Sequence, residues 1–172
     1  MTLPYQVIGY HHFYLESAAS LYQQAYAVPD GERFNSYELS HEIVFDQSQR
    51  DSFLGVLAVN ADQQVIGFAW GYAAPTNHPR ISEIIRKRLG QEWLDATFVV
   101  EGFAMHFEHG DSLMIKALFG QLLHRAQSEG YQRVRMRINI PRFDDLPRHL
   151  GDTGWEVLQG LSHVLWMGKR LA

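Results

Sequence analysis

The apolar positions of this chain change period along its length, and each change marks an element. Residues 5–10 set Tyr5, Val7 and Gly9 against Gln6, Ile8 and Tyr10, the two-residue alternation of a short strand. Residues 15–26 switch to helical spacing, with Leu15, Ala18, Ala19, Tyr22 and Ala25 on one side and Pro29, Asp30 and Gly31 as the stop. A second helix over 35–45 brings Leu39, Ile43 and Val44 together. Two apolar, β-rich runs, 53–60 and 65–73, flank a polar turn at 61–64 and predict an antiparallel hairpin. Residues 81–93 return to helical intervals at Ile81, Ile84, Ile85, Leu89 and Trp93, with Arg86, Lys87 and Arg88 as a solvated face or a substrate-contacting patch.

Residues 96–103 form the next strand, centred on Phe98, Val99 and Val100. The longest helix is expected over 113–127, where Ile115, Leu118, Phe119, Leu122 and Ala126 make a broad stripe and Gly130 ends it. In 131–139, Val134, Met136 and Ile138 alternate with Arg133, Arg135 and Arg137, so the arginine face is expected to meet water, carboxylates or a ligand. A short helix at 145–150 leads to Gly154; a strand at 155–158, a turn at Gln159-Gly160 and residues 162–171 close the chain as a hairpin. Strand, helix and strand over 96–139 imply a right-handed parallel crossover, while the hairpins are antiparallel. The expected fold class is α/β (α+β): one domain over 1–172, a mixed central sheet with helices on both faces.

Composition narrows the chemistry. A chain of 172 residues suits one domain with a sizeable core. It has no cysteine, which excludes disulfides, thiolate catalysis and cysteine-held metals. Its net charge of -4 offers no basic field for nucleic acid. No apolar run approaches the ~20 residues of a spanning helix, and a cytoplasmic protein is the expectation. The 9 histidines include His11-His12 and His106-x-x-His109, but neither pair has a third ligand in pattern, so no metal is expected. No Gly-x-Ser-x-Gly elbow marks a serine hydrolase.

The segment 106–112, between a strand and the longest helix, has chemical promise. First-turn N–H groups lack intrahelical acceptors and the helix dipole is positive there, which suits a phosphate. Gly110 permits close backbone approach. Asp111 or Ser112 equally suits a plain N-cap.

The ordered layout as a whole resembles the GNAT superfamily of acyl-CoA N-acyltransferases, over nearly the full chain. That family's Gln/Arg-x-x-Gly-x-Gly/Ala loop reads here Phe107-Glu108-His109-Gly110-Asp111-Ser112, and Gly154-Trp155 stands where the family has Gly-Phe before its final hairpin. The resemblance implies acetyl transfer from acetyl-CoA, as co-substrate, to an amine, without a metal. It assigns the pyrophosphate to the amides of Phe107, Glu108, His109, Gly110, Asp111 and Ser112. Gly102, Phe103 and Ala104 would pair with the pantetheine arm, and Asn139 counts among the cofactor-binding positions. Glu101 is the implied base, its pKa raised among Val99, Val100 and Phe103 unless an arginine of 131–139 pairs with it; His106 and His109 are its rivals. The family's acidic tyrosine falls on Leu150, with His149 beside it as the substitute. The helix over 81–93 would form a lid on the acceptor side, and a homodimer is common in the family. Tyr10, Phe13, Tyr14, Tyr22, Tyr26, Phe34 and Tyr37 fit either a core or an acceptor-pocket wall. Phe107, the acids Glu108 and Asp111, and Leu150 depart from the family pattern. They leave open a non-catalytic module that binds CoA or another anion.

Overall fold

A computed structural model describes residues 4–26, 36–106, 108, 111–140, 143 and 145–172. In chain order the elements are β1 (Tyr5–Gly9), α1 (Leu15–Tyr26), α2 (Tyr37–Ser48), β2 (Leu54–Asn60), β3 (Val65–Ala73), α3 (Pro79–Leu89) and β4 (Thr97–Met105). They continue with α4 (Ser112–Ser128), β5 (Arg133–Asn139), α5 (Leu146–Gly151), β6 (Glu156–Gly160) and β7 (Val164–Arg170). The strands follow the order β1-β2-β3-β4-β5-β7-β6 in one mixed sheet. β4 and β5 are parallel, as the helical crossover between them requires, and β1/β2, β5/β7 and β6/β7 are antiparallel. This is the α/β (α+β) class that the period changes imply.

The chain divides into two compact units, Met1–Trp70 with Gly102–Leu122, and Gly71–Glu101 with Leu123–Ala172. In the first unit, alternation along β3 assigns the two faces of the sheet. Phe68 and Trp70 join Leu15, Ala18, Ala19 and Leu21 of α1 and Val44 of α2 in one core cluster. Gly67, on the opposite face, lies against Met114 and Leu118 of α4. Helices therefore cover both faces. Ser36 starts α2 by accepting the Leu39 N–H at 3.2 Å.

In the second unit Ile85, Trp93 and Leu94 form the centre of a smaller apolar cluster, with Leu89, Leu158 and Trp166 around it. The helix expected over 81–93 ends at Leu89, because Gly90 takes φ 100° and a short 3-10 turn over Gln91–Trp93 follows. That break aims Trp93 inward and leaves Ile81 and Ile84 exposed. Arg86, Lys87 and Arg88 are exposed, as expected of a solvated face. A second correction concerns the closing hairpin. Gln159 and Gly160, read as a turn, pair with Trp166 and Leu165 as part of β6, and the turn is closed by Leu161 and Val164. The proposed stop at Pro29, Asp30 and Gly31 lies outside the described residues.

The arginine row of β5 is also corrected. Arg137 is exposed, but Arg135 is only 3 % exposed. Its Nε donates to the Trp93 carbonyl at 3.1 Å, and its guanidinium lies 5.6 Å from the centre of the Trp166 ring. Of the water, carboxylates or ligand expected on that face, Arg135 meets a carboxylate only through the charge of Glu101, and a cation–π contact and a backbone acceptor hold it. Burial lowers the Arg135 pKa to about 10, and the nearby charge of Glu101 acts in the opposite direction.

Candidate functional site

β4 carries the site and is not a regular strand. Thr97 accepts from the Ala74 N–H at 2.8 Å, whereas the His106 N–H donates to Ile66 at 2.9 Å. Those two pairs differ in register by one residue, so β4 holds one extra residue relative to β3. Its place follows from the glycines. Before the slip, the Val99 carbonyl presses on the position a Gly71 side chain would take; after it, Gly102 faces the Trp70 indole. The extra residue therefore falls at Val100–Glu101, opposite Gly71. Such a bulge re-aims the strand next to it.

Two consequences reach the expected site residues. Glu101, expected among Val99, Val100 and Phe103 in apolar surroundings, is exposed, and its neighbours on β4 are buried. The residue is turned out at the bulge and lies exposed. Glu101 and Arg135 of β5 act on each other through their charges, without an ion pair between them among the described residues.

The second consequence is the edge beyond the bulge. β5 pairs with β4 from Thr97 to Val100, against Arg133 to Met136, and β4 continues to Met105. Because even-numbered residues now face β3, the N–H and C=O of Phe103 point to the other side of the strand. There they meet the hydroxyl of Tyr26, the last residue of α1. That hydroxyl donates to the Phe103 carbonyl at 3.1 Å and accepts from the Phe103 N–H at 3.3 Å. The Phe103 side chain is buried toward Phe119 of α4, with ring centres 5.2 Å apart, and Ala104 is buried in the α1 cluster. The Tyr26 ring stacks on Tyr22 at 4.4 Å and 17°, and Tyr22 lies parallel to Phe68 and Trp70.

From Met105 the chain runs to α4. Asp111 is the N-cap residue: its carboxylate accepts the Met114 N–H at 2.8 Å, while Ser112 is already helical. The Glu108 N–H points to Nδ1 of His106 at 3.4 Å. Phe107, His109 and Gly110 lie outside the described residues. Tyr5 of β1 is 7 % exposed and its hydroxyl lacks a partner among the described residues; burial, then the charge of Asp111, raises its pKa.

The remaining expected residues belong to the second unit. His149 is half-buried on α5 and Leu150 is fully buried, so position 150 is a core position. Asn139 is exposed at the end of β5, opposite Val164 of β7. Among the described residues no group of three or more His, Asp or Glu is arranged to hold a metal ion, and no helix is long and apolar enough to cross a membrane.

Tyr5 was not singled out by the sequence, and Tyr26 was read only as one of several aromatics that fit a core or an acceptor-pocket wall. The one available signal was the Tyr22/Tyr26 spacing of four, which reads equally as core packing.

Comparison with solved structures places this architecture. No family model matches the chain, and no curated protein does. The fold is that of the GNAT acetyltransferases. It superposes on aminoglycoside 6'-acetyltransferase type Ii with a TM-score of 0.73 at 12% identity, covering 97% of each chain. A phosphinothricin acetyltransferase from Sinorhizobium meliloti, solved with acetyl-CoA, gives 0.67 at 19% identity over 99% of this chain and 90% of that one. The PaiA N-acetyltransferase from Thermoplasma acidophilum, solved with coenzyme A, gives 0.67 at 13% identity over 99% of both. The resemblance read from the order of elements is thus a resemblance of folds.

Proposed function

We propose that the chain is an acyl-CoA-dependent N-acyltransferase, most simply an acetyltransferase, acting on an amine as a single domain over 1–172. The observation that carries the reading is the β4 edge beyond the bulge: backbone groups of Phe103 turned away from β3, on a strand that leads straight into the longest helix. An extended amide-bearing arm adds to such an edge like a strand. The two neighbours solved with acetyl-CoA and with coenzyme A support that choice of arm.

In this reading Gly102, Phe103 and Ala104 hold the arm, and the amides at the start of α4, from Phe107 to Ser112, hold the pyrophosphate. The amine nitrogen attacks the thioester carbonyl carbon, a C–N bond forms, and the C–S bond breaks. Glu101 takes the amine proton, its carboxylate already in solvent and in the field of Arg135. The departing thiolate takes a proton, with His149 as the side chain assigned to supply it. Asn139 is kept as a further donor-binding position.

A second reading has its own observation. Asp111 places a carboxylate on the Met114 N–H in the first turn of α4, and Leu150 is a core residue where the family's acid would stand. Both favour a GNAT-like module that binds CoA or another anion without turnover. Calorimetric titration with acetyl-CoA, followed by an amine panel, separates the two. Saturable binding with acetyl transfer to any amine supports the transferase. Binding without transfer selects the module, and no binding at millimolar acetyl-CoA overturns both.

A further inference from the structure

We infer that Tyr26 is a displaceable cover on the β4 edge, whose hydroxyl takes the place of the donor's amide on Phe103 until acyl-CoA arrives. The inference rests on the donor reading above and adds a state of the free protein to it. One hydroxyl acts both as donor to the Phe103 carbonyl and as acceptor from the Phe103 N–H. A secondary amide of an extended arm offers the same two groups on separate atoms. The arm and Tyr26 therefore compete for one pair of backbone partners.

The geometry is that of an exchangeable contact. At 3.1 and 3.3 Å both bonds are longer than the usual optimum, because one oxygen has to reach two groups. Tyr26 is the terminal residue of α1, where helix backbone is least constrained. The platform beneath it, Tyr22 parallel to Phe68 and Trp70, is built without it. Swinging Tyr26 aside breaks its stack on Tyr22 and both long hydrogen bonds to Phe103, and leaves the stack of Tyr22, Phe68 and Trp70 in place.

A protein that must open before binding shows an affinity reduced by the fraction already open. Removing only the hydroxyl raises that fraction. Tyr26→Phe is therefore expected to bind acetyl-CoA about three- to tenfold more tightly, the range for losing one or two weak hydrogen bonds. The adenosine bisphosphate half of CoA, which has no arm, is expected to bind both forms equally. With tyrosine-selective labelling of the wild-type protein, the Tyr26 ring resonance is expected to move on adding acetyl-CoA and to stay in place with the bisphosphate.

Equal or weaker acetyl-CoA binding by Tyr26→Phe, in a protein whose wild type binds, overturns the cover and leaves the donor reading standing. So does a matching gain for the bisphosphate, or an unmoved Tyr26 resonance at acetyl-CoA saturation. Failure of both proteins to bind acetyl-CoA, each with a normal thermal unfolding transition, overturns the donor reading and the cover with it.

Discussion

Gly102 stands directly against the indole of Trp70 across the β3/β4 pair, so that any side chain at position 102 would occupy the space of the ring. Trp70 is fully buried and its Nε1 donates to Gln47 at 2.8 Å, which leaves the indole no room to retreat. Gly102→Ala is expected to destabilise the protein by about 1–3 kcal/mol, the usual range for overpacking a core. Chemical denaturation followed by tryptophan fluorescence measures it. An unchanged midpoint would show that the contact relaxes freely.

Glu101 is exposed, so Glu101→Gln is expected to leave stability within about 0.5 kcal/mol of wild type. If it is the base, kcat for the best amine falls about 10²–10⁴-fold, with little change in acetyl-CoA affinity. A kcat within twofold of wild type would remove Glu101 from the mechanism.

Asp111 has two separable roles, cap and charge. Asp111→Ala loses the 2.8 Å bond to the Met114 N–H and is expected to cost about 1 kcal/mol of stability. Asp111→Asn keeps a cap and removes the charge, so its stability stays near wild type while acetyl-CoA binds more tightly. Weaker binding by Asp111→Asn would mean that the pyrophosphate is not held at the start of α4.

Tyr5 supplies a pH test. Its folded pKa is raised by burial and by Asp111, while the unfolded chain titrates near 10. Above that pH the unfolded state releases the proton first, so the stabilisation present below pH 10 is lost as pH rises through the folded pKa. Tyr5→Phe is expected to be neutral or slightly stabilising at pH 7, because the buried hydroxyl has no partner, and to flatten the alkaline fall. Thermal midpoints of the two proteins between neutral and alkaline pH measure both effects.

Arg135 is a buried cation, and its lowered pKa of about 10 records the cost of its burial. Between that value and the ordinary arginine range the folded state holds fewer protons than the unfolded one, so this group's contribution to stability rises with pH there. At neutral pH, Arg135→Met keeps the volume and removes the charge, and is expected to lie within about 1 kcal/mol of wild type. Arg135→Ala leaves a cavity beside Trp93 and Trp166 and is expected to cost about 2–4 kcal/mol. Equal losses in the two variants would show that the guanidinium's bonds, and not its volume, hold that cluster.

Elements whose signal is local were legible in the sequence. α1 and α4 follow from unbroken helical stripes, β5 from strict alternation, and the mixed sheet from strand order. Features made by distant partners were not. Arg135 looks solvated until Trp93 and Trp166 arrive from other elements to enclose it. The bulge is invisible because Val99-Val100-Glu101-Gly102 carries no break in pattern, and only the pairing with β3 counts the residues. Tyr26 meets Phe103 from 77 positions away, at the end of a helix whose spacing explains it without any site. In the candidate loop the sequence offered Asp111 and Ser112 equally as caps, and side-chain geometry selects Asp111.

The extra residue in β4 can be taken out without changing which residues pair on either side of it. Deleting Val100 or Glu101 would leave one residue opposite Gly71 and close the ladder into a regular antiparallel pair, with Gly102 still against the Trp70 ring. The Phe103 peptide groups would still point away from β3, and what would be lost is the local bend that the extra residue gives the strand. A single-codon deletion in this short stretch is thus expected to spare the Gly102–Trp70 contact while altering the aim of the strand that carries the proposed donor edge.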